Sequence, residues 1–193
     1  VKQANAQGIA IVFQELSLVP QMTVAENIWL TREPLGRGGL IDHRQERRGT
    51  EALLDLFAGT VRPDLTPDTP VSTLLPDEKQ IVEILKAISV NPRLLILDEA
   101  TASLDSRQVQ RLFDLIGRWK AQGTAIIFIS HRMTEIEQIA DRYSVLRNGQ
   151  TVGAGAMKDA TTSDLVALMV PETASTVVAR RRLSADLLAT RRT

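Results

Sequence analysis

Three short runs of apolar residues stand out along the chain because no polar residue alternates within them. The runs are Ile9 to Phe13, Leu94 to Leu97 and Ile126 to Ile129. Uninterrupted apolar runs of this length are typical of parallel strands that are covered on both faces. Between the last two runs, Val109, Leu112, Phe113 and Ile116 recur at helical spacing and predict a helix with one apolar stripe. Strand, helix and strand in this order predict an α/β core with right-handed crossovers.

The segment between the first two runs, residues 15–91, shows no β pattern and is predicted to be mostly helical. Thr23, followed three residues later by Glu26, forms the signature of a capping box at the start of a short helix. A second helix is predicted from Arg44 to Phe57, and a third begins at Pro76, a residue favoured at the first helical position.

Beyond the third strand the pattern predicts smaller elements. They are a helix from Met133 to Ala140, a strand from Tyr143 to Leu146 and a helix from Thr162 to Met169. The pair Asn148-Gly149 predicts a type I′ turn between two hairpin strands. From Pro171 onward the periodicity ends in an arginine-rich tail.

Composition narrows the classes of function. The 193 residues carry 23 basic and 23 acidic side chains, which argues against a nucleic-acid binder, because such proteins usually have a basic excess. The chain has no Cys, which excludes disulfides and thiolate metal sites. Its apolar runs are far shorter than the roughly 20 residues that span a bilayer. The first residue is Val1 rather than Met, so a processed or truncated product is expected.

Polar residues follow each of the three predicted strands. Asp98 and Glu99 end the second strand, His131 lies just past the third, and Gln14 follows the first. Ligands of open α/β sheets bind at the carboxyl ends of strands. There Asp98 is suited to holding Mg²⁺ through water, Glu99 to polarising an attacking water, and His131 to contacting charge on a transferred phosphoryl group. Taken alone, the two acids are also compatible with a solvated loop position, a lone His is more often structural, and any loop can begin with Gln.

Several motifs then resemble one family. The stretch from Leu94 to Asp105, LLILDEATASLD, resembles the Walker B and D-loop segment of ATP-binding cassette (ABC) ATPases. Ser130-His131 resembles their switch histidine, and Val12 to Leu16 resembles their Q-loop. Further segments resemble the cassettes of bacterial carbohydrate importers of the ribose, xylose and galactose type: Leu18 to Ile28, Arg32 to Pro34, Gly39 to Asp42 and Val82 to Ile84. The resemblance covers roughly residues 7–170.

This resemblance implies a P-loop NTPase-like (RecA-like) parallel sheet core with an inserted helical subdomain. The core would comprise residues 1–14 and 92–170, and the helical subdomain residues 15–91. Residues 171–193 would form a tail or a linker to a second cassette.

The resemblance also implies a role for each site residue. Gln14 would contact Mg²⁺ and the attacking water and couple the site to the membrane subunit, while Asp98 would bind Mg²⁺ through water. Glu99 would be the general base, and His131 would sense the γ-phosphate. Asp105 would belong to the D-loop that crosses to the partner cassette.

Two departures from the family pattern matter. The phosphate-binding loop (Walker A), G-x-x-x-x-G-K-S/T, is absent from the sequence and is expected upstream of Val1, so the chain alone is expected to be inactive. The family signature L-S-x-G-Q falls on Leu74, Leu75, Pro76, Asp77 and Glu78. Leu75 replaces the hydroxyl and Asp77 replaces the glycine, and two acids at a helix N-terminus are expected to repel the nucleotide of the opposite cassette.

The implied function is ATP binding and hydrolysis that energises carbohydrate import, with ATP and Mg²⁺ as cofactors. The implied partners are a second, fused cassette, transmembrane permease subunits and, indirectly, a periplasmic sugar-binding protein, at the cytoplasmic face of the inner membrane. One alternative is a degenerate, non-catalytic cassette that acts as a docking or regulatory module. Another is an ABC ATPase acting on nucleic acid or ribosomes, which the neutral charge disfavours.

Overall fold

The computed structural model describes residue 4 and residues 7–170, where strands and helices alternate. The strands are β1 (Ile9–Val12), β2 (Leu94–Asp98), β3 (Ala125–Ile129), β4 (Arg142–Arg147) and β5 (Gln150–Ala156). The helices in residues 7–170 are α1 (Val24–Trp29), α2 (His43–Leu54), α3 (Pro76–Ile88), α4 (Ser106–Ala121), α5 (Met133–Ile139) and α6 (Thr162–Met169). All three strands and all the helices predicted from periodicity are present.

The first three strands form a parallel sheet with β2 in the centre. Val12 of β1 lies opposite Leu97, and Asp98 of β2 lies opposite Ile129 of β3. Because the three strands end at nearly the same level, the segments that follow them share one edge of the sheet. The central position of β2 puts its two acids between the segments that carry Gln14 and His131.

The two faces of this sheet are buried to different extents. On one face Val12, Leu95 and Leu97 are completely buried. On the other, Ile127 and Ile129 of β3 each remain 46% exposed. The prediction that all three strands are covered on both faces is therefore wrong for β3. An apolar run shows that a strand can be buried, but the covering element has to come from elsewhere in the fold.

Side-chain caps start the first two helices of the helical segment. At α1, the Thr23 hydroxyl accepts a hydrogen bond from the Glu26 N–H at 3.2 Å, and the Glu26 carboxylate accepts one from the Thr23 N–H at 2.7 Å. This confirms the predicted capping box. At α2, Asp42 caps the first turn. That helix ends at Leu54, earlier than predicted, because the chain tightens into a 3₁₀ turn over Asp55–Phe57.

Helices α3 and α4 contribute large buried side chains to the core. Ile81, Ile84 and Leu85 of α3 are fully buried. On α4, the Phe113 ring meets the edge of Phe128 of β3, with ring centroids 6.0 Å apart and an interplanar angle of 82°. The edge-to-face contact holds α4 against the sheet, as the apolar stripe of that helix predicts.

The chain divides into two compact units, Val1–His131 and Arg132–Thr193. In the described part of the second unit, β4 and β5 pair in antiparallel fashion. Asn148 and Gly149 both have positive φ, 50° and 77°, as a type I′ turn requires, which confirms the predicted hairpin. The division into core, helical subdomain and tail remains a prediction, and the tail, residues 171–193, lies outside the described residues. Between residues 7 and 170, no helix is long and apolar enough to cross a membrane.

Candidate functional site

Glu99 begins a sharp turn at the end of the central strand. Its φ is 49°, a left-handed conformation that residues with a side chain seldom adopt. The Glu99 N–H donates to the Ile129 carbonyl at 3.0 Å, and the Ala102 N–H donates to the Glu99 carbonyl at 3.1 Å. These bonds hold the strained backbone in place, and strain of this kind is concentrated at functional sites. The turn directs the Glu99 side chain toward the end of β3.

At the end of β3, His131 contacts Glu99 directly. The His131 Nδ1 lies 2.9 Å from the Glu99 Oε1. An ionised carboxylate can only accept, so His131 donates its Nδ1–H, and Nε2 remains for a second partner. The Glu99 side chain is 26% exposed and that of His131 is 69% exposed, so both are accessible from solvent. Two residues that lie 32 positions apart, and that the sequence analysis selected separately, thus form one unit.

Asp98 and Gln14 provide oxygen ligands on the same sheet edge. Asp98 is the last residue of β2 and is partly buried, whereas Gln14 lies in the exposed loop after β1. A carboxylate and an amide oxygen suit Mg²⁺, which usually takes one or two protein ligands and completes its shell with water and phosphate oxygens. Among the described residues, no three His, Cys, Asp or Glu side chains are placed so that they could together hold a metal ion. Asp98 and Gln14 thus carry the type of oxygen donor that a Mg²⁺ ion bound together with phosphate oxygens would use.

The loop that follows Gln14 is tied to α3 by a buried carboxylate. Glu83 is 4% exposed, and the Ser17 hydroxyl donates to its Oε1 at 2.6 Å. The Lys86 ammonium also donates to the Ser17 hydroxyl at 3.1 Å. The sequence analysis did not select these residues as part of the site. The available signal was an acid, Glu83, within an otherwise apolar run of α3.

Asp105 caps helix α4 and leads to a buried amide. Its Oδ1 accepts hydrogen bonds from the Arg107 and Gln108 N–H groups, both at 2.8 Å. The Gln108 side chain is 2% exposed, and its Oε1 accepts the Asp105 N–H at 2.9 Å. Gln108 also donates through Nε2 to the Thr60 carbonyl at 3.0 Å and to the Asp77 carboxylate at 2.7 Å. Gln108 therefore links the predicted D-loop to the predicted signature.

Within the signature segment the two acids have different environments. Glu78 is 1% exposed; it accepts the Leu75 N–H at 2.9 Å and lies 3.2 Å from the Arg62 guanidinium. Asp77 is only partly buried. The expectation that two carboxylates confront an incoming anion is therefore wrong for Glu78, which is turned inward, and Asp77 remains as the acid near the surface. Leu75 is 57% exposed at the position where the family has a hydroxyl.

Sequence comparisons agree with the motif analysis. The profile of the family described as ABC transporter matches residues 1–102. A protein of Burkholderia cenocepacia (strain HI2424) named as a ribose/galactose/methyl galactoside import ATP-binding protein is 45% identical over 164 residues. A protein of the same name from Hahella chejuensis (strain KCTC 2396) is 44% identical over 167 residues. The matches cover 85% and 86% of this chain but only 30% and 32% of those proteins, so the chain spans about a third of the relatives' length.

Solved structures share the fold at low sequence identity. The dimeric post-hydrolysis state of the ATP-binding cassette MJ0796, bound to ADP and Pi, matches with a TM-score of 0.69 at 20% identity, covering 81% of this chain and 66% of that one. A nucleotide-free ATP-binding cassette from an ABC transporter matches with a TM-score of 0.66 at 22% identity, covering 88% and 71%. These matches confirm the predicted fold class, an α/β cassette of the P-loop NTPase type.

Proposed function

We propose, because this chain belongs to the ABC transporter family, that it forms the Walker B side of a cassette that binds and hydrolyses ATP to energise carbohydrate import. The import of ribose, galactose and methyl galactoside is named for relatives of which the chain spans about a third, so the function is carried over here as a proposal. The observation that supports it most directly is the contact between Glu99 and His131 at the carboxyl edge of a parallel sheet.

In the proposed reaction Glu99 acts as the general base. Its Oε1 is held by His131, which leaves Oε2 to accept a proton from the attacking water. With Nδ1 donating to Glu99, the Nε2 of the exposed His131 side chain would be available to the terminal phosphate. ATP would supply the phosphoryl group, and a Mg²⁺ ion held by Asp98 and Gln14 would neutralise charge on its oxygens. The protein's part is to position these groups, which is the main source of catalysis in phosphoryl transfer.

Asp98 and Gln14 would hold the metal. Asp98 would contact it through water from the rigid end of β2, and Gln14 would contact it from the exposed loop after β1. The tie between Ser17 and Glu83 supports a coupling role for this loop, because it links the segment beyond Gln14 to helix α3. A movement of the loop on docking to a permease would then be transmitted to the signature helix. Partners of this kind would place the cassette at the inner face of the membrane.

The signature segment supports a further part of the proposal, namely that the two ATP sites of a cassette pair differ. This chain would contribute Asp98, Glu99 and His131 to its own site. To the site of a second cassette it would offer Leu75 in place of a hydroxyl and Asp77 in place of a glycine. A carboxylate about 4 Å from a phosphate charge costs on the order of 4 kcal/mol at an effective dielectric of 20. Asp105 would lie at the boundary between the cassettes.

The changed signature also favours a second candidate function, a non-catalytic docking or regulatory module. The presence of Gln14, Asp98, Glu99 and His131 favours the catalytic interpretation. The two candidates differ in one measurable property, the dependence of ATP turnover on Glu99.

We expect Glu99→Gln to reduce ATP turnover by about 10²–10⁴-fold, because glutamine keeps the shape of the side chain but cannot accept a proton from water. The measurement is phosphate release by the assembled transporter that contains this chain, together with ATP binding by filter assay. Binding should be retained, since the change leaves Asp98 and Gln14 in place.

The matched control is Asp114→Asn, an acid-to-amide change at an exposed position of α4. Turnover of this variant should equal that of the unmodified transporter. If Glu99→Gln hydrolyses ATP at the unmodified rate, Glu99 is not the general base. If the unmodified transporter carrying this chain hydrolyses no ATP, the docking-module alternative replaces the proposal.

A further inference from the structure

The side chain of Gln108, in the first turn of α4, is buried and bonded at both ends of its amide. Gln108 is 2% exposed. Its Oε1 accepts the Asp105 N–H at 2.9 Å, and its Nε2 donates to the Thr60 carbonyl at 3.0 Å and to the Asp77 carboxylate at 2.7 Å. These partners fix the orientation of the amide, because a flipped amide would place its nitrogen against a donor and its oxygen against two acceptors.

The two acceptors of the amide nitrogen are held differently. The Thr60 carbonyl belongs to a turn in which the Thr60 N–H and hydroxyl both donate to the Phe57 carbonyl, at 3.0 Å and 2.8 Å. Phe57 is completely buried, which anchors this turn in the core. Asp77 is only partly buried at the start of α3. Gln108 therefore holds the Asp77 carboxylate against a fixed point of the core.

The bond to Asp77 is the strongest of the three contacts that the Gln108 amide makes. A hydrogen bond to an ionised carboxylate is shorter and roughly twice as strong as one between neutral groups. Asp77 lies in the first turn of α3, and Asp105 caps α4. The amide thus joins the starts of two helices, and neither start can shift without breaking a buried bond or moving the other.

The start of α4 is in turn connected to the end of the central strand. Asp105 follows the Glu99 turn, in which the Ala102 N–H donates to the Glu99 carbonyl at 3.1 Å. The bridge from Asp77 to Gln108 therefore ends at the segment that carries the proposed general base.

We propose that Gln108 is a positioning residue that makes the predicted D-loop and the predicted signature segment move as one unit. The inference rests on the proposed function, in which both segments lie at the boundary with a second cassette. A shift of α3 at that boundary would reach the Glu99 turn through Gln108, and the two ATP sites would be coupled within this chain.

Four variants of the assembled transporter that contains this chain separate the bridge from the cap. Gln108→Glu keeps the oxygen that accepts the Asp105 N–H, but it places a second carboxylate against Asp77 and breaks the bridge. Asp77→Asn keeps the bridge, because its amide oxygen can still accept from Gln108. The double variant Gln108→Glu/Asp77→Asn restores the bridge with donor and acceptor exchanged. The matched control is Gln110→Glu, the same change at an exposed position of α4.

The first measurement is hydrogen exchange of residues 102–108, read by mass spectrometry in the absence of nucleotide. We expect Gln108→Glu to raise exchange in these residues by about tenfold or more, since it loses a bond to a charged group. The double variant, Asp77→Asn and the control should all exchange like the unmodified protein. Restoration by a change at position 77 is the decisive result, because a role confined to capping α4 would not respond to it.

The second measurement is the steady-state hydrolysis of ATP by the same transporter. We expect Gln108→Glu to lower kcat by about tenfold or more, because a misplacement of about 1 Å can cost about 10²-fold. KM should change little, since the proposed contacts of Asp98 and Gln14 with Mg²⁺ are untouched. The double variant should match Asp77→Asn within about twofold.

Because a buried glutamate can unfold a protein, a further variant tests the bridge from its other end. Asp77→Ala removes the acceptor at a partly buried position, and we expect it to speed exchange in residues 102–108. Asp77→Asn, which keeps an acceptor, should not. Exchange rather than turnover is measured for Asp77→Ala, because removing the charge of Asp77 also changes the proposed second site.

Two outcomes would overturn the proposal. One is exchange in Gln108→Glu and Asp77→Ala that equals exchange in the unmodified protein. The other is a double variant that behaves like Gln108→Glu in exchange or in turnover, which would leave Gln108 as a helix cap only. An unmodified transporter that hydrolyses no ATP would refute the proposed function instead, and the exchange data would still decide whether Gln108 joins the two segments.

Discussion

At the scale of single residues, backbone conformation and side-chain chemistry act together at Glu99. The left-handed φ of 49° carries a cost of about 1–3 kcal/mol, which the surrounding bonds to β3 sustain. That conformation turns the carboxylate to His131, which holds it by a hydrogen bond. A glycine would relieve the strain but would remove the proposed general base, so the conformation and the proposed chemistry require different residues here.

Replacing two helical glycines by alanine is expected to change stability in opposite directions. A Cβ at Gly49 of α2 would lie 2.6 Å from the Trp29 ring, which cannot move freely because its Nε1–H donates to Thr50 at 3.0 Å. We expect Gly49→Ala to destabilise the protein by about 1–2 kcal/mol, since overpacking outweighs the gain in helix propensity. Gly117→Ala on α4, where a Cβ meets nothing within 4 Å, should stabilise it by about 0.5–1 kcal/mol. Urea unfolding of both variants measures the difference; two changes of the same sign would contradict this account.

At the scale of elements, the buried Glu83 joins helix α3 to the loop after β1. Ser17 gives this carboxylate both its N–H, at 3.3 Å, and its hydroxyl, at 2.6 Å. A hydrogen bond to a charged group contributes about 1.5–3 kcal/mol, and a buried carboxylate that loses it is poorly solvated.

We therefore expect Ser17→Ala to lower the free energy of unfolding by about 1.5–3 kcal/mol, measured by urea denaturation. Ser72→Ala, at an exposed serine of the same segment, is the control and should change it by less than about 0.5 kcal/mol. Equal values for the two variants would mean that the Glu83 contact does not hold the loop.

At the scale of the whole molecule, the residues proposed for the chain's own ATP site and those proposed for the site of a second cassette lie on different elements. Under the proposal, Asp98, Glu99 and His131 would serve the chain's own site, and the signature segment would serve the site of a second cassette. Asp77 is held by Gln108, which is itself bonded to Asp105, so the altered signature is built into the packing between α3 and α4. A change at Asp77 is therefore expected to affect both charge and packing.

Restoring the family signature tests whether the second site is inactive because of these residues. In the assembled transporter, Leu75→Ser/Asp77→Gly should raise ATP turnover, because it supplies a hydroxyl and removes a carboxylate near the phosphate. The control Leu75→Ala/Asp77→Ala removes the charge but supplies no hydroxyl, and it should give a smaller increase. Unchanged turnover in the restored variant would count against the proposed asymmetry.

Local sequence determined much of this protein. Apolar runs predicted the parallel strands, the spacing of Thr23 and Glu26 predicted a cap, and Asn148-Gly149 predicted a hairpin turn, because each depends on chemistry within a few residues. The candidate site residues could also be chosen from sequence, since polar groups after buried strands occupy the sheet edge where ligands bind.

Other features were decided only by the tertiary structure, because they join residues far apart in the chain. The 2.9 Å contact between Glu99 and His131 depends on the pairing of β2 with β3. The inward turn of Glu78 depends on Arg62, and the burial of Glu83 on Ser17. The identity of an acidic residue in the sequence does not show whether its carboxylate faces solvent or a buried partner. Its role is set by the groups that packing brings within hydrogen-bond distance.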